Sequence, residues 1–152
     1  MKLHAAGAIL AVLALGCGGA AQPAPAEGKA KPDRPEPEHI LVAHVLIAFQ
    51  GTGTKATRTQ AAAEKLAGEI LSRARKGEDF NKLMRDFSDD PGDGAYGLAN
   101  HKVNPVGEEY ERRKMVPAFG NVGFKLDVGE VGMSRFDPKD SPYGWHIIKR
   151  LK

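Results

Sequence analysis

Hydrophobic residues in the first part of the chain form a pattern that predicts a buried strand. The run HILVAHVLIAF at residues 39–49 is nearly all apolar and rich in β-branched side chains. Alternation along this strand places His44 on the same face as Ile40 and Val42, inside an apolar surface. A polar loop rich in Gly and Thr follows, and Thr59 is suitably placed to cap the next element.

Helical spacing dominates the middle of the chain. Apolar residues in segment 60–76 recur every three or four positions, and Gly77 then provides a helix-ending residue. A second, shorter amphipathic helix is predicted over residues 78–87. A third is predicted over residues 115–124, where Pro117 is tolerated because it falls in the first turn.

Strand patterns return near the end of the chain. Residues 128–136 are predicted to form a turn and then a strand, and residues 143–151 a final strand that contains His146. Turn-forming residues fill segment 88–97, and segment 98–113 has no clear period. The order of strand, helices, strand and strand predicts an α+β fold with a mostly antiparallel sheet.

The N-terminus has the pattern of an export signal. Residues 1–16, MKLHAAGAILAVLALG, contain one Lys and then an apolar run that is shorter than the roughly 17–25 residues of a membrane span. The stretch ALGC that ends at Cys17 resembles a bacterial lipobox, which implies that Cys17 is the lipidation site. The alternative is an ordinary secretory signal with an incidental cysteine.

The composition of the remaining chain predicts a tether and one domain. Residues 18–38 are rich in Gly, Ala, Pro and charge and cannot bury enough apolar surface to fold, so we expect a lipidated, disordered tether over residues 17–38. Residues 39–152 are long enough for one modest core. The net charge of +3 comes from interspersed acidic and basic residues, so we expect no nucleic-acid partner.

Four segments in the predicted domain resemble those of one enzyme family. AHVLIAF, GEDFNKLMRDFSDD, MVPAFGNVGFKLDVGEV and YGWHIIK occur in the order found in parvulin-type peptidyl-prolyl cis-trans isomerases. The resemblance covers nearly all of residues 39–152. It implies a four-stranded, mostly antiparallel sheet surrounded by helices. It also implies catalysis of X–Pro bond isomerisation in exported proteins, and so assistance to folding at a membrane surface.

The resemblance also implies candidate site residues. His44 and His146 would lie side by side beneath the active site, and Asp90 would take the position of a nearby Cys or Asp, so these three are the candidate catalytic residues. The candidate substrate-binding residues are Tyr96, Met115, Val116, Phe119, Ser141 and Tyr143. No two histidines have the spacing of metal ligands, so we expect neither metal nor cofactor.

Simpler interpretations of the same residues remain open. A histidine in a strand is most often a satisfied core residue, and an aspartate before Pro-Gly, such as Asp90, is most often a turn residue. Segment 97–115 departs from the family pattern, which leaves a non-catalytic chaperone or peptide-binding module as the alternative function. The expected partners are extended, proline-containing polypeptides and a membrane reached through the lipid anchor. We expect a monomer that faces the periplasm or the cell exterior.

Overall fold

The computed structural model describes residues 35–152 of the chain. The predicted signal at residues 1–16, Cys17 and most of the predicted tether at 17–38 lie outside the described residues. No helix in the described part of the chain has the length and apolar character needed to cross a membrane.

One sheet of five strands forms the centre of the domain. The strands lie in the order β3-β2-β1-β5-β4, and every neighbouring pair is antiparallel except β2 and β3. The predicted α+β fold with a mostly antiparallel sheet is therefore confirmed. The strands are β1 (His39–Ile47), β2 (Ala95–Ala99), β3 (Tyr110–Glu111), β4 (Val131–Ser134) and β5 (Trp145–Arg150).

Three α-helices pack against the sheet at the predicted positions. They are α1 (Gln60–Arg75), α2 (Phe80–Phe87) and α3 (Pro117–Gly123). The hydroxyl of Thr59 caps α1 by accepting the main-chain N–H of Ala62 at 3.2 Å, as the sequence predicted.

The two faces of the sheet have different coverings. Ala43, Val45 and Ile47 of β1 point into a core formed with α1 and α2. The alternate residues Ile40 and Val42 point to the other face, where α3 covers a smaller apolar cluster. His44 lies on this second face, because side chains along a strand alternate in direction.

Two strands were not predicted from the hydrophobic pattern. Strand β2 begins at Ala95, within a segment predicted to be all turn, and β3 lies in the segment without a clear period. The sheet therefore has one more strand than the resemblance implies, although β3 contains only two residues. Both strands are short and pair through their main chains, so they leave little trace in the side-chain pattern.

A buried arginine holds α3 in place beside the sheet. Arg112 is 8% exposed, and its guanidinium bonds to Asn100 Oδ1 at 2.8 Å and to Asn121 Oδ1 at 2.9 Å. It also forms an ion pair with Glu36, and it lies 4.6 Å from the centre of the Phe124 ring. One side chain therefore connects α3 to the end of β2 and to the start of the described chain.

Gly144, at the entrance to β5, allows the turn before the strand to approach β1. Its φ is +135°, and a Cβ at this position would lie 2.3 Å from the carbonyl oxygen of Ile47. We expect Gly144→Ala to lower the free energy of unfolding by about 2–4 kcal/mol, because the methyl group adds backbone strain and a steric clash. Chemical denaturation measures this difference.

Gly68 provides the matched control for this prediction. It lies inside α1, and a Cβ there would meet nothing within 4 Å. We expect Gly68→Ala to stabilise the domain by about 0.5–1 kcal/mol through its helix propensity. Equal destabilisation by the two substitutions would contradict the steric role given to Gly144.

Candidate active site

Two buried histidines lie side by side on the α3 face of the sheet. His44 of β1 and His146 of β5 are each 4% exposed, and their Nδ1 atoms are 3.2 Å apart. In the strand register His146 lies opposite Leu46, so it is the diagonal neighbour of His44 on the same face. The rings are nearly parallel, with centroids 5.3 Å apart. The structure therefore brings together the two histidines predicted from the sequence.

Hydrogen bonds connect the turn after α2 to β1, and they place Asp90 beside His44. The Ser88 hydroxyl accepts the main-chain N–H of Leu46 at 3.1 Å. The main-chain N–H of Asp89 donates to the Leu46 carbonyl at 2.8 Å. With the two preceding residues fixed, Asp90 Oδ2 accepts a hydrogen bond from Nε2 of His44 at 2.7 Å.

Two further donors hold the Asp90 carboxylate. The Tyr96 hydroxyl donates to Oδ2 at 3.0 Å, and the main-chain N–H of Gly92 donates to Oδ1 at 3.0 Å. The hydrogen bond from His44 is the main reason why the pKa of Asp90 lies well below its usual range, and the bonds from Tyr96 and Gly92 lower the pKa further. Burial, together with the bond to Asp90, raises the pKa of Tyr96 to about 12.

The ionised carboxylate determines where the protons of the histidine pair lie. Asp90 can only accept, so Nε2 of His44 must carry a proton. When His44 is neutral its Nδ1 is an acceptor, and His146 must then donate from its own Nδ1. The resulting chain of donors runs from His146 through His44 to Asp90.

Burial strongly lowers the pKa of His146. Desolvation, with a smaller contribution from the neighbouring His44, lowers the pKa of His146 to about 3, so the imidazole is neutral at physiological pH. Its Nε2 atom is buried and has no hydrogen-bond partner among the described residues. The buried hydroxyl of Ser134, the cross-strand neighbour of His146 on β4, has none either. Sequence analysis missed Ser134, because only the strand register places it beside the histidine.

Phe119 of α3 contacts the rings of both histidines. Its ring lies edge-on to His44 and to His146, with centroid distances of 5.1 Å and 5.5 Å. Met115 and Val116 are half-buried and pack against the same cluster. The Tyr96 ring lies 5.4 Å from His44, so this residue belongs to both the polar network and the aromatic cluster.

The remaining predicted site residues occupy the turn before β5. The Ser141 side chain is fully buried, and its hydroxyl donates to the Gly144 carbonyl at 2.9 Å. This bond stabilises the turn, and contact of Ser141 with substrate stays a prediction. Tyr143 is 49% exposed. Among residues 35–152, no three His, Cys, Asp or Glu side chains are grouped closely enough to hold a metal ion.

Comparison with known proteins identifies the family. The family model described as the PPIC-type PPIase domain matches residues 28–152. The chain belongs to this family. This PPIase domain contains every residue of the network described above.

Two curated relatives contain similar sequence. Foldase protein PrsA of Geobacillus kaustophilus is 41% identical over 86 residues, which cover 57% of this chain and 27% of that protein. Chaperone SurA of Pseudomonas aeruginosa is 31% identical over 114 residues, which cover 75% of this chain and 24% of that protein. The chain thus spans only about a quarter of the length of these two relatives.

A solved structure supports the fold. The solution structure of TbPIN1 matches this PPIase domain with a TM-score of 0.58 at 22% sequence identity. The match covers 76% of this chain and 98% of that one. The α+β parvulin fold expected from the sequence is therefore confirmed.

The buried neutral His146 makes the stability of the PPIase domain depend on pH. Its pKa is about 3 in the folded state and about 6.5 in an unfolded chain, so below pH 6.5 the unfolded state binds a proton that the folded state does not. The free energy of unfolding is therefore unaffected by His146 above pH 6.5, and it declines as the pH falls from 6.5 towards 3. Between pH 7.5 and pH 5 we expect wild type to lose about 2 kcal/mol more than His146→Gln.

Urea denaturation at a series of pH values measures this difference. Asp90 does not affect this comparison, because its pKa is lowered in the folded state and its protonation reduces stability only below about pH 4. The exposed His101 provides the control, and His101→Gln should retain the wild-type pH dependence. Parallel profiles for wild type and His146→Gln would show that His146 is not held neutral by burial.

Proposed function

We propose that this chain is a peptidyl-prolyl cis-trans isomerase that acts on X–Pro bonds of exported proteins and assists their folding at a membrane surface. The observation that carries the proposal is the bonded network of His146, His44, Asp90 and Tyr96 beneath Phe119, in a chain of the PPIase domain family. The printed names of the relatives, a foldase and a chaperone, support a role in folding.

The reaction requires bond rotation and no bond cleavage. The barrier is about 18–20 kcal/mol, because resonance gives the amide C–N bond partial double-bond character. An enzyme accelerates the rotation by binding the twisted amide more tightly than the planar one. A buried network with few mobile groups suits this task, since fixed dipoles need no reorganisation when the bond rotates.

Asp90 is proposed to act through its charge. In the planar amide, resonance places partial negative charge on the carbonyl oxygen, and twisting the bond removes it. A fixed carboxylate close to that oxygen therefore disfavours the planar form relative to the twisted one. The hydrogen bonds from His44 and Tyr96 keep Asp90 ionised and fixed, which is the role we give to these two residues.

The apolar residues around Phe119 are proposed to hold the proline ring. The Phe119 side chain extends from α3 to the two histidines, and Met115 and Val116 extend the apolar surface beside it. On this account His44 and His146 are mainly a structural pair in which each imidazole gives the other one hydrogen-bond partner, and neither is an obligatory proton carrier. The exposed ring of Tyr143 remains a candidate contact for residues next to the proline.

Clients are proposed to be unphosphorylated. Arg58, in the loop after β1, forms an ion pair with Asp89 and donates to the Ala48 carbonyl at 2.8 Å. This pairing leaves Lys55 as the exposed basic residue of the loop. The adjacent carboxylates of Asp89 and Asp90 would repel a phosphate group placed there.

A second candidate function is peptide binding without useful catalysis. Phe119 is only 1% exposed, so a proline ring can reach it only if the covering side chains move. A chaperone could bind extended chains at the rim of this closed site without isomerising them. Suppression of client aggregation by a protein that fails to accelerate isomerisation would favour this second function.

We also propose that the protein is exported and anchored through a lipid on Cys17, facing the periplasm or the cell exterior. The support is the sequence alone, namely the short apolar run at residues 1–16 and the ALGC stretch. The Pro- and Ala-rich segment at residues 18–38 would then hold the domain away from the membrane surface.

A protease-coupled assay with an Ala-Pro peptide tests the isomerase proposal. We expect the purified protein to shorten the uncatalysed relaxation of tens to hundreds of seconds. Asp90→Asn should retain an acceptor for His44 yet lower kcat/KM by about 10- to 100-fold, because the charge is lost. A wild-type protein without acceleration would refute the isomerase function.

Asp86→Asn is the control for this substitution. Asp86 also carries one negative charge, but it lies exposed on α2 and pairs with Lys82. We expect this variant to keep wild-type kcat/KM. Equal activity of folded Asp90→Asn and Asp86→Asn proteins would remove the electrostatic role given to Asp90.

Metabolic labelling with palmitate tests the lipid anchor. Wild type should incorporate label and sediment with membranes, whereas Cys17→Ser should do neither, because the acylated thiol is absent. Export itself can persist in the variant. An unlabelled wild-type protein would contradict the lipoprotein proposal.

A further inference from the structure

A groove opens along the outer edge of the sheet, next to the candidate active site. Its volume is about 880 Å³. Tyr96 lines this groove and also bonds to Asp90, so one side chain contacts both the groove and the polar network. We call it the β2-edge groove. Its principal lining residues are Leu41, Asp93, Tyr96, Gly97, Glu108 and Tyr110.

The strand edge beside this groove is open to an extended chain. The main-chain N–H of His44 bonds to the Gly94 carbonyl at 2.8 Å, so in an antiparallel pair the main-chain groups of Ala95 and Gly97 point away from β1. The Ala95 N–H donates to the Asp93 carboxylate at 3.3 Å and the pairing with β3 occupies the Gly97 carbonyl, which leaves the Ala95 carbonyl and the Gly97 N–H for an added chain. In the described structure β3 pairs with β2 only at Leu98 and Ala99. An edge of this kind can accept the main chain of an extended peptide.

Two tyrosines form an aromatic wall in the groove. The rings of Tyr96 and Tyr110 are 5.9 Å apart, and Tyr110 is 51% exposed. Exposed tyrosine faces attract the ammonium or guanidinium group of Lys or Arg, and they also cover the aliphatic part of those side chains.

The groove carries net negative charge. Asp93 and Glu108 are exposed, and neither forms an ion pair within the described structure. Glu109 adds a third carboxylate, which accepts a hydrogen bond from His39 at 2.7 Å, and Lys152 is the one lysine or arginine in the lining. An anionic side chain would therefore be repelled and a cationic one attracted.

We propose that the β2-edge groove binds the client segment next to the isomerised proline and selects clients with Lys or Arg in that segment. The inference rests on the proposed function, which places the proline beside Phe119. The open edge of β2 would bind the client main chain, while the two tyrosines and the carboxylates of Asp93 and Glu108 would bind the cationic side chain.

The expected selectivity is modest, because the acidic residues are exposed. Exposed charge pairs contribute little each and are screened by salt. For two carboxylates we expect a preference for Lys over Glu of about threefold to tenfold in Kd at low ionic strength. The preference should shrink in 0.5 M NaCl.

Peptide binding to the full chain tests the proposal. The probes are fluorescein-labelled peptides with one proline and a single Lys, Ala or Glu at each of three positions on either side, with Kd measured by fluorescence anisotropy. We expect Lys to bind most tightly and Glu least at one or more of these positions. The double variant Asp93→Lys/Glu108→Lys should reverse that order.

A charge control, a pair of Tyr110 variants and an NMR titration test whether the peptide binds in the groove. Glu64→Lys changes the charge at an exposed position of α1 that does not line the groove, and it should keep the wild-type order. Tyr110→Ala should weaken Lys-peptide binding, whereas Tyr110→Phe, which retains the aromatic face, should not. The amide signals of Gly97 and Tyr110 should shift on titration with the Lys peptide.

The outcomes separate this inference from the isomerase proposal. Equal binding of Lys and Glu peptides to wild type, or an order unchanged in the double variant, would overturn the groove proposal even if isomerisation is rapid. A Lys preference that reverses in the double variant would support the groove even if the protein does not accelerate isomerisation.

Discussion

The burial of two imidazoles side by side is the constraint on which the site depends. A buried polar group without a partner costs about 1–3 kcal/mol, and part of this cost is offset because His44 bonds to both His146 and Asp90. Nε2 of His146 is the one imidazole nitrogen of the pair without a partner among the described residues. This arrangement requires the turn after α2 to be fixed against β1. Ser88 and Asp89 fix it by bonding to the Leu46 main chain.

One face of the sheet packs against the main apolar core, and the other face carries the candidate site. The face covered by α1 and α2 is an ordinary apolar core, and the face covered by α3 carries the histidines and Phe119. Arg112 fixes α3 through polar bonds and its stacking on Phe124. A rigid support of this kind suits the proposed isomerisation, which needs preorganised dipoles more than proton transfer.

Negative charge is concentrated around the site and along the neighbouring edge of the sheet. Three hydrogen bonds stabilise the ionised form of Asp90 and keep its pKa low, while burial keeps His146 neutral. The network therefore holds a fixed anion whose position depends on side chains from two strands and on the main chain of a turn. The carboxylates of Asp93 and Glu108 add further negative charge in the β2-edge groove, where they are exposed to solvent.

Sequence alone determined the elements whose side chains carry a periodic pattern. Strand β1, the three helices and the two C-terminal strands were predicted because hydrophobic spacing and capping residues mark them, and the family resemblance supplied the pairing of His44 with His146. Only the tertiary structure decided the rest. Strands β2 and β3 form through main-chain pairing, which side-chain pattern does not reveal. The bond from Tyr96 to Asp90, the burial of Ser141 and the place of Ser134 beside His146 depend on register and turn geometry, which distant parts of the chain fix together.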